Sequence, residues 1–188
     1  MFLRKTSLTR DPLAVTMTGV RMGERLLQIG TGDARLAVQL AARPGMSGHA
    51  AIVIGDERLA ARARAAAADA GALVDVQVGP ARALPYADQA FDVAVIHAAG
   101  ELLAPLPAAA RGEILAECLR VLRPGGRVVA LDAGTRTGLA ALIRPASASD
   151  PQYEAAGGTI AALEAAGFTS VRLLADREGY RFIEGIRR

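Results

Sequence analysis

Two places along the chain carry residues whose types and spacing could do chemistry. Gly30-Thr31-Gly32-Asp33 follows the short apolar run Leu26-Leu27-Gln28-Ile29 and precedes a helical pattern. Glycines at such a junction let the backbone approach a ligand closely, and the amino end of a helix offers unpaired N–H groups. His97 comes directly after the apolar run Phe91-Asp92-Val93-Ala94-Val95-Ile96. An imidazole there titrates near neutrality unless its surroundings shift it. It reads either as a base or substrate contact, or as a strand-end histidine paired with backbone. Glu101, a few residues on, reads as a solvated side chain.

Other chemistries find no support. Cys118 is the only cysteine and sits among Ile114, Leu115, Leu119, Val121 and Leu122, as a packed thiol on a helix would. A disulfide framework and a thiolate metal site are both excluded. His49, the second of the two histidines, lies after the Pro44-Gly45-Met46-Ser47-Gly48 loop and belongs to the opposite end of the strands from His97. Two distant histidines without a carboxylate cluster make no metal site. No serine stands in a nucleophile elbow.

The elements that must position Gly30 and His97 follow from hydropathy patterning. Short β-rich runs at 25–29, 50–54, 73–78, 91–96 and 127–131 alternate with helical stretches at 33–42, 57–70 and 107–122. The alanine tract at 60–72 reads as helix, interrupted by arginine on one side and stopped by Gly71. Pro107 marks a helix start, and Pro124-Gly125-Gly126 follows its end. A last helix at 159–166, closed by Gly167, leads to strands at 170–174 and 180–186. Strand–helix alternation predicts an α/β fold: a doubly wound, mainly parallel, seven-stranded sheet. Only a short turn at 176–179 joins the last two strands, so they should close the sheet as an antiparallel edge hairpin. In such sheets ligands sit outside the carboxyl ends of the strands, at the switch point.

Length and composition fit one domain over 1–188, with a short leader at 1–22. With 52% hydrophobic residues the chain can bury a sizeable core. The pI of about 9.6 reflects arginines dispersed among acids, and the net charge is only +3. Aromatics make up 4% and no long like-charge run appears, which argues against a nucleic-acid partner. No segment reaches the roughly 20 apolar residues of a membrane helix, and the start lacks the apolar run of a signal peptide, so a cytoplasmic location is expected. The one membrane-directed feature is the start Phe2-Leu3-Arg4-Lys5.

Four segments in this order resemble the class I S-adenosylmethionine-dependent methyltransferases, particularly the small ubiquinone/menaquinone-biosynthesis-like branch. They are Leu26-Leu27-Gln28-Ile29-Gly30-Thr31-Gly32-Asp33, then Ala83-Leu84-Pro85-Tyr86-Ala87-Asp88-Gln89-Ala90-Phe91-Asp92-Val93, then Leu119-Arg120-Val121-Leu122-Arg123-Pro124-Gly125-Gly126-Arg127-Val128-Val129, and finally Ala165-Ala166-Gly167-Phe168. The resemblance implies S-adenosylmethionine as cofactor, with Gly30, Thr31 and Gly32 under its methionine and ribose. Gln28 stands where the family usually has an acid, and Ala34 replaces a third glycine. Asp56 is the acid available to the ribose hydroxyls; an alternative alignment puts Val53 at that position and leaves Asp56 as a helix cap. Gly79-Pro80-Ala81 stands where the family commonly has Gly-Asp-Ala, which leaves adenine to apolar packing and to the N–H of Ala81 or Arg82. His97 falls at the edge where the family's acceptor meets the methyl group.

The resemblance therefore implies methyl transfer to a small-molecule or lipid-like acceptor. The changes at Gln28, Ala34 and Pro80 also allow an inactive subunit that kept the fold for binding or assembly. Each charged hydrogen bond lost would cost about 1.5–3 kcal/mol of cofactor affinity. The leader and the Gly/Ala/Ser-rich stretch at 133–158 are short, so the site is expected to be open or covered by a partner. A nicotinamide-binding domain is disfavoured, because Thr31-Gly32-Asp33-Ala34-Arg35 lacks the third glycine.

Overall fold

A computed structural model of the chain describes residues 12–98, 102–134 and 151–188. Glu101, the 2–5 stretch and most of the 133–158 stretch lie outside the described residues. Seven strands form one sheet, in the order β3-β2-β1-β4-β5-β7-β6. They are β1 (Arg25–Ile29), β2 (His49–Ile54), β3 (Asp75–Val78), β4 (Phe91–Ile96), β5 (Leu122–Ala133), β6 (Thr169–Arg177) and β7 (Tyr180–Ile186). The first five run parallel, and β7 pairs antiparallel with both β5 and β6.

The expected doubly wound sheet is thus present, with differences in detail. The reversed strand, β7, lies one place inside the edge, and β6 is outermost. Burial explains the order. Phe182 and Ile183 of β7 are buried, whereas β6 carries Arg172, Asp176 and Arg177 and leaves Leu173 47% exposed. Strand β3 is shorter than expected because only Asp75–Val78 finds partners on β2; Leu73, 78% exposed, has none there. Strand β5 is longer, because Pro124-Gly125-Gly126 is absorbed as an irregularity. The pairing jumps from Phe91↔Leu122 to Val93↔Arg127. Gly126 is required there, since a Cβ would meet Arg123 O at 2.8 Å and Asp92 O at 3.0 Å.

The helices are α1 (Leu13–Met17), α2 (Ala34–Ala41), α3 (Glu57–Ala70), α4 (Ala108–Val121), α5 (Pro151–Ala155) and α6 (Gly158–Ala165). The short helices α1 and α5 lie in stretches whose composition gave no helical period. Side chains alternate across β1 and β4. Leu27, Ile29, Ala94 and Ile96 pack under α4 and α6, while Leu26, Val93 and Val95 meet α1 and α2 on the other face.

Two of the recognised segments prove to be one latch. Arg120 on α4 donates to Tyr86 O at 2.8 Å and to Leu84 O at 3.2 Å, and pairs with Asp88 at 2.8 Å. Glu117, one turn earlier, accepts from Leu84 N at 2.7 Å and pairs with Arg120. Those guanidinium and backbone donors outweigh burial and hold the Glu117 carboxyl below its ordinary pKa. The segment before β4 is therefore pinned to the end of α4. Its residues fix the loop; they do not reach the cleft.

Candidate functional site

The cleft opens where the fold predicts it, at the carboxyl ends of β1, β2 and β4, across the switch point between β1 and β4. Its volume is about 690 Å³, within the range of small-molecule sites. Gly30, Thr31 and Gly32 form the floor after β1. The end of β2 supplies Val53, Ile54, Gly55 and Asp56, and the turn after β3 supplies Pro80, Ala81 and Arg82. His97 closes the β4 side. Leu102, Leu106, Ala110 and Ile114, none of them singled out from the sequence, make an apolar wall. Only the apolar period of the segment leading into α4 could have signalled them.

Gly30 holds φ at +73°, and its N–H donates to Val53 O at 2.8 Å. Leu102 seats its side chain where a Gly30 Cβ would stand. Gly32 and Gly55 differ: a Cβ on either would meet nothing. Between the two loop glycines, Thr31 Oγ1 is buried without a hydrogen-bond partner among the described residues. Buried hydroxyls are normally satisfied, and an orphan of this kind costs about 1–3 kcal/mol.

Asp56 caps a helix and lines the cleft, and Val53 lines it too. One oxygen caps α3 by accepting from Leu59 N at 3.0 Å, and the residue also lines the cleft. Asp33 caps α2 in the same manner, accepting from Arg35 N at 2.8 Å. Ala81 and Arg82 come to the cleft together, next to Pro80.

Gln28 does not. It is fully buried behind the cleft wall. Its Nε2 donates to Ala37 O at 2.8 Å, and its Oε1 lies 2.9 Å from His97 Nε2. The donation to Ala37 fixes which end of the amide is oxygen. Nε2 of His97 must therefore be the donor in the second bond. His97 is 6% exposed, and its backbone N–H donates to Ile29 O at 3.0 Å. Burial drives its pKa from the usual 6.5 down to about 4, against a weaker opposing pull from the Asp33 charge. The ring is neutral at pH 7.

The remaining titratable candidates are silent. Cys118 is buried on the inner face of α4, with its thiol pushed up to about 12, chiefly by burial. His49 starts β2 at the far end of the sheet, its ring stacked near Phe91 at 6.3 Å. Among the described residues no cluster of three His, Cys, Asp or Glu could hold a metal ion. Nor is any helix there long and apolar enough to cross a membrane.

The family described as "Methyltransferase domain" matches residues 27–130, more than half of the chain. The chain belongs to that family. The match begins within β1 and ends within β5, so it contains the whole cleft. The resemblance read from the four segments is borne out. Among curated proteins, the chain is 35% identical over 113 residues to a ubiquinone/menaquinone biosynthesis C-methyltransferase of Dinoroseobacter shibae, covering 60% of this chain and 43% of that protein. An uncharacterised protein of Mycobacterium tuberculosis is 34% identical over 119 residues, covering 62% and 40%. The chain thus matches less than half the length of these relatives. The fold is also that of a SAM-dependent methyltransferase from Aquifex aeolicus, with a TM-score of 0.71 at 20% identity over 93% of this chain and 87% of that one.

Proposed function

We propose that the chain binds S-adenosylmethionine in the cleft beside Gly30 and transfers its methyl group to a small-molecule or lipid-like acceptor. The observation that carries this reading is a cleft of about 690 Å³ at the carboxyl ends of β1, β2 and β4, lined by Gly30, Gly32 and Asp56, on the family's fold. The residues present fit the cofactor. The backbone of Gly30, Thr31 and Gly32 would meet its methionine end. The free oxygen of Asp56 would take the ribose, and Ala81 and Arg82 would flank the adenine. When bound, the cofactor supplies an electrophilic methyl group on a sulfonium.

Most of the catalysis then falls to placement of the acceptor in line with that methyl. The apolar wall of Leu102, Leu106 and Ile114 favours a hydrophobic acceptor, and the quinone-pathway enzymes among the relatives support a ring of quinone type. His97, being neutral, sets no positive charge beside a sulfonium. With its pKa near 4 it is a weak base, better suited to accepting a hydrogen bond than to removing a proton from a weakly acidic acceptor.

One observation favours a second reading. Leu102 lies over Gly30, and no acid stands at position 28, which supports a binding or assembly subunit that kept the fold. Isothermal titration with S-adenosylmethionine separates the two. Saturable heat is expected; a flat titration at millimolar ligand would overturn the cofactor reading. Turnover by the isolated chain would eliminate the subunit reading.

A further inference from the structure

The geometry points to Gln28 as a positioning residue: it locks His97 in the Nε2–H tautomer, so that Nδ1 is the one ring nitrogen left to accept a hydrogen bond from the occupant of the cleft. Gln28 lies on β1 with its side chain directed to α2, and His97 follows β4. One amide thus ties three elements together. Its N–H₂ end is committed to Ala37 O at 2.8 Å, which leaves only the oxygen, a pure acceptor, for His97 Nε2 at 2.9 Å. An imidazole that donates from Nε2 in its neutral form carries its lone pair on Nδ1. His97 borders the cleft and Gln28 does not. The amide therefore uses the inward nitrogen and leaves the other for a ligand N–H or O–H.

The choice of an amide over an acid matters here. A carboxylate at position 28 could accept from His97 but could not donate to Ala37 O, and its charge would favour the imidazolium. Asp33 is the charged group whose field reaches the ring, and it already pulls toward the protonated form. A neutral partner at position 28 holds the ring uncharged at the cost of any direct grip on the cofactor's cation.

The test begins with the unaltered protein. With only two histidines in the chain, ¹⁵N-labelled rings can be assigned with His49→Gln. Long-range ¹H–¹⁵N spectra at pH 7 should show His97 as a single Nε2–H tautomer; an Nδ1–H form would overturn the proposal without recourse to any variant. Gln28→Leu, close in size, should turn the single form into a mixture. Gln28→Glu should keep Nε2–H and move the His97 titration upward by at least about one pH unit, as expected for a carboxylate neighbour. A variant pair that changes stability but leaves tautomer and titration untouched would reduce Gln28 to a strut. The second half rests on the cofactor reading and is probed with S-adenosylhomocysteine. Binding that shifts the His97 Nδ1 resonance supports it, and binding that leaves Nδ1 unmoved overturns it. Failure of S-adenosylhomocysteine to bind would sink the cofactor reading alone, with the tautomer lock still decided by the first spectrum.

Discussion

Two polar regions of this molecule handle their hydrogen bonds in opposite ways. Around Asp132, at the end of β5, polar groups are used up among themselves. Thr159 Oγ1 donates to Asp132 Oδ2 at 2.7 Å, so Tyr153 OH must donate to Thr159 at 2.9 Å. Arg181 bridges Asp132 at 3.3 Å and Glu154 at 3.0 Å, and Arg111 lies over the Tyr153 ring at 4.3 Å. One atom there, Arg181 Nε, is buried and bare, on a guanidinium that is otherwise paired. In the cleft, by contrast, Gly32 and Gly55 face open space, and the buried Thr31 Oγ1 beneath its lining has no partner among the described residues. The first region fastens α5 and α6 to the sheet. The second keeps its capacity for something that arrives. Open space above its glycines, rather than a high density of polar residues, distinguishes the cleft from the closed network around Asp132.

That contrast can be broken or sharpened by substitution. The largest effect is expected from Asp132→Ala, which strands the Thr159 hydroxyl and the Arg181 charge. Urea unfolding should show a loss of about 3 kcal/mol, with ligand affinity of the folded protein unchanged. Next comes pH. His97 is depressed from 6.5 to about 4 in the fold, so the unfolded chain binds the proton more readily between those values. Its contribution is whole above pH 6.5 and is lost as pH falls toward 4, by an amount on the order of 3 kcal/mol. Unfolding midpoints of His97→Gln should show a correspondingly flatter dependence over that window.

Gly30→Ala ranks third. The left-handed backbone and the seat of Leu102 both oppose a methyl group, so calorimetry should register a loss of about 2 kcal/mol. Thr31→Val should leave stability unchanged or raise it by about 1 kcal/mol, because it removes an unsatisfied hydroxyl. Gly32→Ala is the mildest. Stability should stay within about 0.5 kcal/mol, and any affinity lost must then come from a methyl group intruding on the ligand.

Much of this was legible beforehand. The apolar runs at β1, β2 and β4, the helix at Glu57–Ala70 and the closing hairpin follow from local patterning, which is strong where strands are buried on both faces. The positions of Gly30, Thr31, Gly32, Asp56, Ala81, Arg82 and His97 along one cleft follow from strand order. Other features depend on contacts between distant residues. The sequence puts Gln28 at a strand end but not which way its amide turns; that is decided by Ala37 and His97, 9 and 69 residues away. Nothing local marks Leu102 as the residue seated over Gly30. Arg120 looked like part of a recognised segment, and only its reach to Leu84, Tyr86 and Asp88 shows that the segment's purpose is mechanical.

The reversal of β7 carries a practical corollary. Because it runs against β5, its last residue, Ile186, lies beside Arg127, where that strand's regular pairing with β4 resumes, and Arg187 exchanges backbone bonds with Gly125 and Gly126. Whatever is joined after Arg188, whether a purification tag, a fluorophore or a fused partner, departs from the rim of the sheet remote from Gly30 and His97. Attachments at that end can report on the molecule without obstructing entry to the cleft.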